Sequence, residues 1–394
     1  MDLSDFSEPE NHTKRKEQYG GFFVIRPTYP NPIGRTIFSQ QVLVNDDFLH
    51  CQTSFPITCS GLKCSVKGFP YSSQDGETIS CAETTLWGIM EYFSNRYAKY
   101  SPALPSDIIS VLQNVRSQRQ LPSLGLNVND LSHALKKFGF GTRIYGREQF
   151  GPDMLMNLLS CYVESGIPVA VALSNGADFQ HALICCGREK MDASHFKGLN
   201  STNGLKDFDS ITKKFVFMDD NLFPYQKAFL DKPAANYDSN ISKSVGITHF
   251  VVPLYPKIYL EAFEAKKFCI SFLLDNKFKN DTLRIFLTTS RSYKDEILKN
   301  PQLPKEYKER IMGLPMPKFI WVCEITDEKH LSNGKCYGNM ILDATEPNIN
   351  RYKPLIFMHI DDLTLYKQQG SLSSDKLKNS LRQYDVYKNN LSGF

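Results

Sequence analysis

One window of the sequence concentrates its potential chemistry: Gln74-Asp75-Gly76-Glu77-Thr78-Ile79-Ser80-Cys81-Ala82-Glu83. Directly after it, Leu86, Trp87, Ile89, Met90, Phe93 and Tyr97 recur at helical spacing, which predicts a strong helix. Ser80 followed by Glu83 is a capping-box pair and sets Cys81 at the first helical position. The unpaired N–H groups and the positive end of the helix dipole would stabilise a thiolate there. A thiolate is the attacking form of cysteine, so the arrangement suits nucleophilic catalysis. The plainer alternative is a small residue tucked under the helix start. Gln74 lies on a Gly-containing loop before Cys81. Its amide could donate to an oxyanion beside the Cys81 backbone N–H; a loop Gln facing solvent is the alternative.

A thiol nucleophile needs a base. His181 opens the apolar run His181-Ala182-Leu183-Ile184-Cys185-Cys186-Gly187, directly after the polar turn Ser174 to Gln180. An imidazole at the mouth of a buried strand is fixed by its backbone while its ring can face a cleft. His195, in a polar stretch, and His249, at the edge of a later strand, are weaker candidates. The base in turn needs a partner. The strand Phe215-Val216-Phe217-Met218 ends in Asp219-Asp220-Asn221, and a carboxylate there can accept from the ring N–H. Asp219 is the nearer to the strand; two Asp at a strand end also suit an ordinary turn.

Taken together and in this order, the set resembles the papain-like cysteine peptidases, most closely the bacterial C39-like branch. Members share a Gln before a helix-starting Cys, a "Gly-x-Pro-Val" strand leading to "His-Ala-x-x-x-x-Gly", and a strand ending in Asp. Here these are Gln74 and Cys81, Gly166-Ile167-Pro168-Val169, His181-Ala182 with Gly187, and Asp219. The segment Gly125 to Leu131, with Ala134-Leu135 and Gly139-Phe140, is similar to the family's intervening helix. The similarity covers about residues 70–225. Gln and Cys stand one residue further apart than is usual in the family, and Asp219-Asp220 replaces its common Asp-Pro. The resemblance implies a papain-like cysteine protease fold, a helical lobe plus an antiparallel sheet. It also implies a thiol hydrolase of peptide or isopeptide bonds acting on a protein or peptide substrate, with Cys81, His181 and Asp219 as triad, Gln74 as oxyanion donor, and no cofactor. An acyltransferase of transglutaminase type, or a non-catalytic binding scaffold, are the alternatives.

The elements that must position these residues fall into an α+β order. Residues 1–19 read as a loose polar tail and 20–70 as a β-rich segment, with strands over Phe22–Ile25, Thr36–Val44 and Ser54–Val66. Residues 71–249 form the peptidase-like domain. Its helices are expected after Ser80, from Pro105, behind a cap at Asn129, and from Pro152 to Val163. Its strands are expected at Pro168–Leu173, Ala182–Cys186 and Phe215–Met218, with a polar surface insertion at 188–213. Residues 250–394 read as an additional α/β module without an assignable motif, suited to substrate recognition or partner binding. Strands are expected there at Phe268–Leu274, Leu283–Leu287, Phe319–Ile325 and Met340–Leu342, and helices at Lys257–Lys266, Tyr293–Lys299 and Lys376–Arg382. Glu324 and Asp343 are weighed as a second acidic site, with a structural role favoured.

Composition bounds the rest. The 394 residues are 41% hydrophobic and 22% charged, enough apolar material for a sizeable core. A net charge of +4 gives no footprint for nucleic acid. The best apolar run, Ile167 to Leu173, is strand-sized, so no membrane partner is expected. The start, Met1-Asp2-Leu3-Ser4-Asp5, lacks a basic flank and an apolar segment, and a cytoplasmic location is expected. Ten cysteines without metal spacing read as mostly buried free thiols.

Overall fold

The computed structural model describes residues 9–27, 31–59, 61–74, 80–113, 127–199, 204–350, 352–360, 363–368, 371–375, 383–388 and 390–391. Along the chain, helix α1 (Pro9–Glu17) precedes the short pair β1 (Gly21–Phe22) and β2 (Ile37–Phe38), then β3 (Phe48–His50) and the hairpin β4 (Thr53–Cys59) and β5 (Leu62–Gly68). The helices α2 (Cys81–Arg96), α3 (Pro105–Gln113) and α4 (Val128–Lys137) follow. Next come β6 (Arg143–Gly146), α5 (Arg147–Phe150), α6 (Pro152–Glu164), β7 (Val169–Ser174), β8 (Gln180–Glu189), β9 (Lys206–Asp207), β10 (Lys214–Met218) and β11 (Gln226–Phe229). The last part holds α7 (Ser239–Ser244), β12 (Gly246–Val252), α8 (Ala262–Asp275), β13 (Thr282–Thr289), α9 (Ser290–Lys299), α10 (Lys305–Gly313), β14 (Phe319–Thr326), α11 (Glu328–Leu331) and β15 (Lys335–Cys336). It closes with β16 (Gly338–Asp343), β17 (Leu355–Ile360), β18 (Leu363–Gln368), β19 (Ser371–Asp375) and β20 (Tyr384–Asp385).

The fold is α+β, built on two seven-stranded sheets. The first runs β11-β10-β8-β7-β12-β6, with β3 added on β8, and all its pairings are antiparallel. The second runs β19-β18-β17-β16-β14-β13-β9, antiparallel except where β9 lies parallel to β13. Strands β13 and β14 are buried nearly end to end, which is why they read as continuous apolar runs rather than as alternations. Among the described residues no helix is long and apolar enough to cross a membrane.

Helix α6 lies between the sheets. On one side Arg188 of β8 pairs with Glu164; on the other, Arg284 of β13 reaches Glu164 at 3.5 Å and Glu324 of β14 at 2.8 Å. The Cys161 thiol and the Ser165 hydroxyl meet the β13 backbone at Ile285 (3.2 Å) and Leu287 (2.8 Å). One apolar core accordingly runs from Phe38 to Leu391 through both sheets. Glu324 is committed to this buried network, while Asp343 caps the Thr345 N–H and hydroxyl, so the two do not form a second acidic site.

Two glycines of the resemblance motifs have structural reasons to be there. Gly166 follows α6 with φ +71°, and a Cβ on it would lie 2.6 Å from the Asn390 carbonyl oxygen. Strand β3 crosses Gly187 so closely that a Cβ would collide with the Leu49 carbonyl and stand 2.7 Å from the His50 Cα.

Several elements differ from the sequence reading. The polar tail carries α1. Of the run Thr36–Val44 only Ile37–Phe38 is strand, followed by a 3-10 turn at Gln40–Val42. Of Phe22–Ile25, Phe22 pairs in β1 and Ile25 makes one isolated bridge to Ile33. The cap of α4 is Asn127, whose side chain accepts from the N–H groups of Asn129 and Asp130, not Asn129 itself. Phe268–Leu274 is helical, part of α8, whose buried positions Ala262, Ala265, Lys266, Cys269, Phe272 and Leu273 follow three-and-four spacing. The expected helix over Lys257–Lys266 therefore starts only at Ala262. A short apolar run has no period of its own with which to separate strand from helix. The insertion 188–213 is not confined to the surface: Phe196, Phe208, Asp209 and Lys213 are buried. The helix expected over Lys376–Arg382 lies outside the described residues, as do Asp75 to Ile79 and Gly125-Leu126.

Candidate active site

Cys81 begins α2. The Glu83 carboxylate accepts from the Ser80 N–H at 2.7 Å, which holds the first turn in place. The helix packs along β8, and Gly88 lets it approach, since a Cβ there would stand 2.8 Å from Ile184 Cδ1. The half-buried Cys81 thus faces the start of β8, where the Ala182 N–H donates to its Sγ at 3.4 Å.

His181 is placed by the turn between β7 and β8. In that turn the Asn175 side chain accepts from the N–H groups of Ala177 (2.9 Å) and Phe179 (3.0 Å), and Leu173 pairs with His181. Its Nε2 stands 2.8 Å from Asp219 Oδ1, and the neighbouring Ala182 N–H is the one that reaches the Cys81 sulfur. With Nε2 engaged, Nδ1 is left as the ring atom for the thiol. Asp219 arrives from β10, whose antiparallel register Met218↔Ile184 carries the next residue on towards His181.

Asp219 is itself held. Its Oδ1 accepts from the Asn221 N–H at 3.0 Å, and the Tyr237 hydroxyl reaches both oxygens, at 3.0 and 2.8 Å. Tyr237 also lies edge-on to His181 and to Phe179, with ring centroids 6.2 and 5.7 Å apart, so apolar ring surface closes over the His–Asp contact. Gln74 completes the group: its amide donates to Asn221 Oδ1, and one N–H of that amide remains to give. Cys81, His181, Asp219 and Gln74, spread over 146 positions of sequence from 74 to 219, therefore gather at one end of the first sheet. His195 bonds Asp192 on a surface turn and His249 lies on β12, so neither joins them.

The electrostatics follow from burial and neighbours. Burial works against a charged imidazole at His181, but the Asp219 hydrogen bond and the nearness of Cys81 outweigh it and raise its pKa well above 6.5. Asp220 Oδ1 is 3.6 Å from His181 Nε2, beyond hydrogen-bond reach. Burial pushes its carboxyl up to about 7, against the pull of His181 and with the Asp219 charge adding to the rise. Donor atoms of His181, Asp219 and Asp220 lie within 4.8 Å of one another, near enough for a cation. Asp219 Oδ1 accepts from His181, Asn221 and Tyr237, and Oδ2 from Tyr237.

Sequence reasoning missed Tyr237, which lies 18 positions beyond Asp219 in a turn with no periodic signal. Asn221 was visible only as the end of a polar run. No protein-family model matches the chain. No curated protein matches it either.

Proposed function

We propose that the protein is a cysteine peptidase, a thiol hydrolase of peptide or isopeptide bonds with a papain-like arrangement. The observation that carries the reading is His181 bonded to a buried, doubly held Asp219 at the start of β8, where the helix-starting Cys81 takes the N–H of the next residue, Ala182. A structural histidine needs one partner; a general base needs a carboxylate to hold it and a thiol beside it. An antiparallel sheet presenting His and Asp on adjacent strands, packed against the helix that starts at Cys, supports the papain-like comparison.

In this reading Cys81 gives its proton to His181, and the thiolate attacks the carbonyl carbon. The new C–S bond leaves negative charge on the carbonyl oxygen, which the Cys81 N–H and the Gln74 amide receive. The C–N bond then breaks as His181 delivers its proton to the leaving nitrogen. Water resolves the thioester: His181 takes a proton from the water, oxygen bonds to the acyl carbon, and the C–S bond breaks. Asp219 keeps the imidazolium oriented throughout and does not itself take the proton. The test is hydrolysis of a quenched fluorogenic peptide library by the full chain. Turnover that disappears in Cys81→Ala, with the circular dichroism spectrum unchanged, supports the reading; turnover that survives the change refutes it.

A further inference from the structure

The loop that follows Asp219 does more than hold the carboxylate. The Leu222 N–H bonds the Asp219 carbonyl at 3.1 Å, the Tyr71 hydroxyl donates to the Leu222 carbonyl at 2.6 Å, and Gln74 binds Asn221. At its far end Tyr225 sits at φ +61°, a conformation uncommon for a bulky residue. Its hydroxyl is pinned between the Phe69 N–H (2.9 Å) and the Phe38 carbonyl (3.2 Å). A loop fixed at both ends presents Phe223, which remains 51% exposed.

Phe223 is not alone. Its ring lies 5.8 Å from the buried Phe38 and 6.3 Å from Phe23, and Phe23 stacks on Phe38 at 5.4 Å. Phe23, Val24 and Ile25 are consecutive, and their exposures are 49, 42 and 70%. Arg26, next along, donates to the Ser73 carbonyl at 2.7 Å, which ties this segment beside Gln74. Exposed apolar side chains scattered singly need no explanation, but Phe23 and Phe223, whose exposed rings meet over Phe38 on pinned backbone with Ile25 two residues on from Phe23, do. The strip flanks the Gln74–Asn221 contact, and through it the group formed by Cys81, His181 and Asp219.

We propose that Phe23, Ile25 and Phe223 form the specificity surface of the site, on which a polypeptide substrate lays a large apolar side chain next to the bond to be cut. The proposal rests on the thiol-hydrolase reading and names its substrate class: extended polypeptide with Phe, Leu or a similar residue near the scissile bond. Continuity with the site decides the occupant, because the loop carrying Phe223 also carries Asp219 and the residue that Gln74 binds. Burial of one large apolar side chain is worth about a 10- to 100-fold preference over a small or acidic one.

The test uses peptidyl chloromethyl ketones that differ in one side chain (Phe and Leu against Gly and Asp). Alkylation of Cys81 in the full chain is followed by mass spectrometry, and each rate is divided by that of iodoacetamide. The expected result is a ratio about 10-fold or more higher for the Phe and Leu reagents. Phe223→Ser and Phe23→Ser, made separately, should each lower that ratio several-fold and leave the iodoacetamide rate unchanged. Equal ratios for all reagents, or a preference untouched by both substitutions, overturn the proposal while Cys81 stays reactive. A substitution that dissociates a dimer without moving the ratio makes the strip a self-association face and also overturns it. A Cys81 inert even to iodoacetamide fells the hydrolase reading instead, and this proposal with it.

Discussion

Asp219 and Asp220 are adjacent in sequence, yet only Asp219 is within hydrogen-bond distance of His181, at 2.8 against 3.6 Å. The difference has consequences for both. Tyr237→Phe removes the hydroxyl that reaches both oxygens of Asp219. A hydrogen bond to a charged acceptor is worth about 1.5–3 kcal/mol, so kcat should fall about 10-fold or more with KM little changed. The acid limb of the pH–rate profile should shift as well; unchanged kcat and profile would deny Tyr237 this positioning role. Asp220 makes a different prediction. Its pKa of about 7 lies above the unfolded value near 3.8, so its contribution to stability is full below about pH 4 and is lost as pH rises through 7. Relative to Asp220→Asn, the parent should lose stability between pH 4 and 8, read from urea midpoints; parallel curves would contradict it. Cys81, His181, Asp219 and Gln74 were all legible as residue types at suggestive places in the sequence. The choice between the two aspartates was not, because adjacent positions on a strand end are separated only by which side chain turns towards β8.

At the scale of elements, Gly187 shows how a motif residue can serve packing. Strand β3 passes over it, and Gly187→Ala would force β3 away from β8. Overpacking of this kind costs about 1–3 kcal/mol. The urea midpoint should drop accordingly; a variant as stable as the parent would show that β3 yields without penalty. The helix α2 and the strands β8, β10, β13 and β14 were readable because their periodicity or unbroken apolar runs are strong, and the Ser80–Glu83 pair marks a start. The last strands, β17 to β19, and the short β6 and β11 were not: β6 and β11 span only four residues each, and β18 and β19 mix Lys, Gln, Ser and Asp with their apolar residues. Phe268–Leu274 shows the opposite failure: the apolar stretch is real, but its helical spacing emerges only when Ala262, Ala265 and Lys266 are counted with it.

Across the whole molecule, buried charges tie the parts together. Lys266 of α8 bonds both oxygens of Asp207 (2.7 and 2.8 Å) and Asp209 Oδ2 (2.6 Å), while Ser160 of α6 donates to Asp209 Oδ1 (2.6 Å). The polar stretch 188–213 is thereby fastened to the second sheet through β9 and to helices on both sides of it. Lys266→Met would leave Asp209 buried with its main counter-charge gone, a change that costs about 3–5 kcal/mol. The thermal midpoint should fall, and Asp209→Asn in the same chain should recover part of the loss. A midpoint that does not move would mean that the cluster is not what anchors the segment. No composition or spacing signal marks these pairs, since Lys and Asp in a polar run look like solvated surface until the fold encloses them.

The central claim is that Cys81 and His181 act as a pair, and selective alkylation tests it most directly. Seven of the ten cysteines are buried, and Cys59 and Cys64 are the accessible thiols besides Cys81. The measurement is limiting iodoacetamide across pH 5–9, mapped by mass spectrometry, in full-length protein carrying Cys59→Ser and Cys64→Ser. The raised pKa of His181 keeps its ring protonated beside the sulfur, so Cys81 should react at pH 6, and His181→Ala should abolish that low-pH reaction. A Cys81 as unreactive at pH 6 as the buried Cys269 and Cys323, or one indifferent to the loss of His181, would contradict the account.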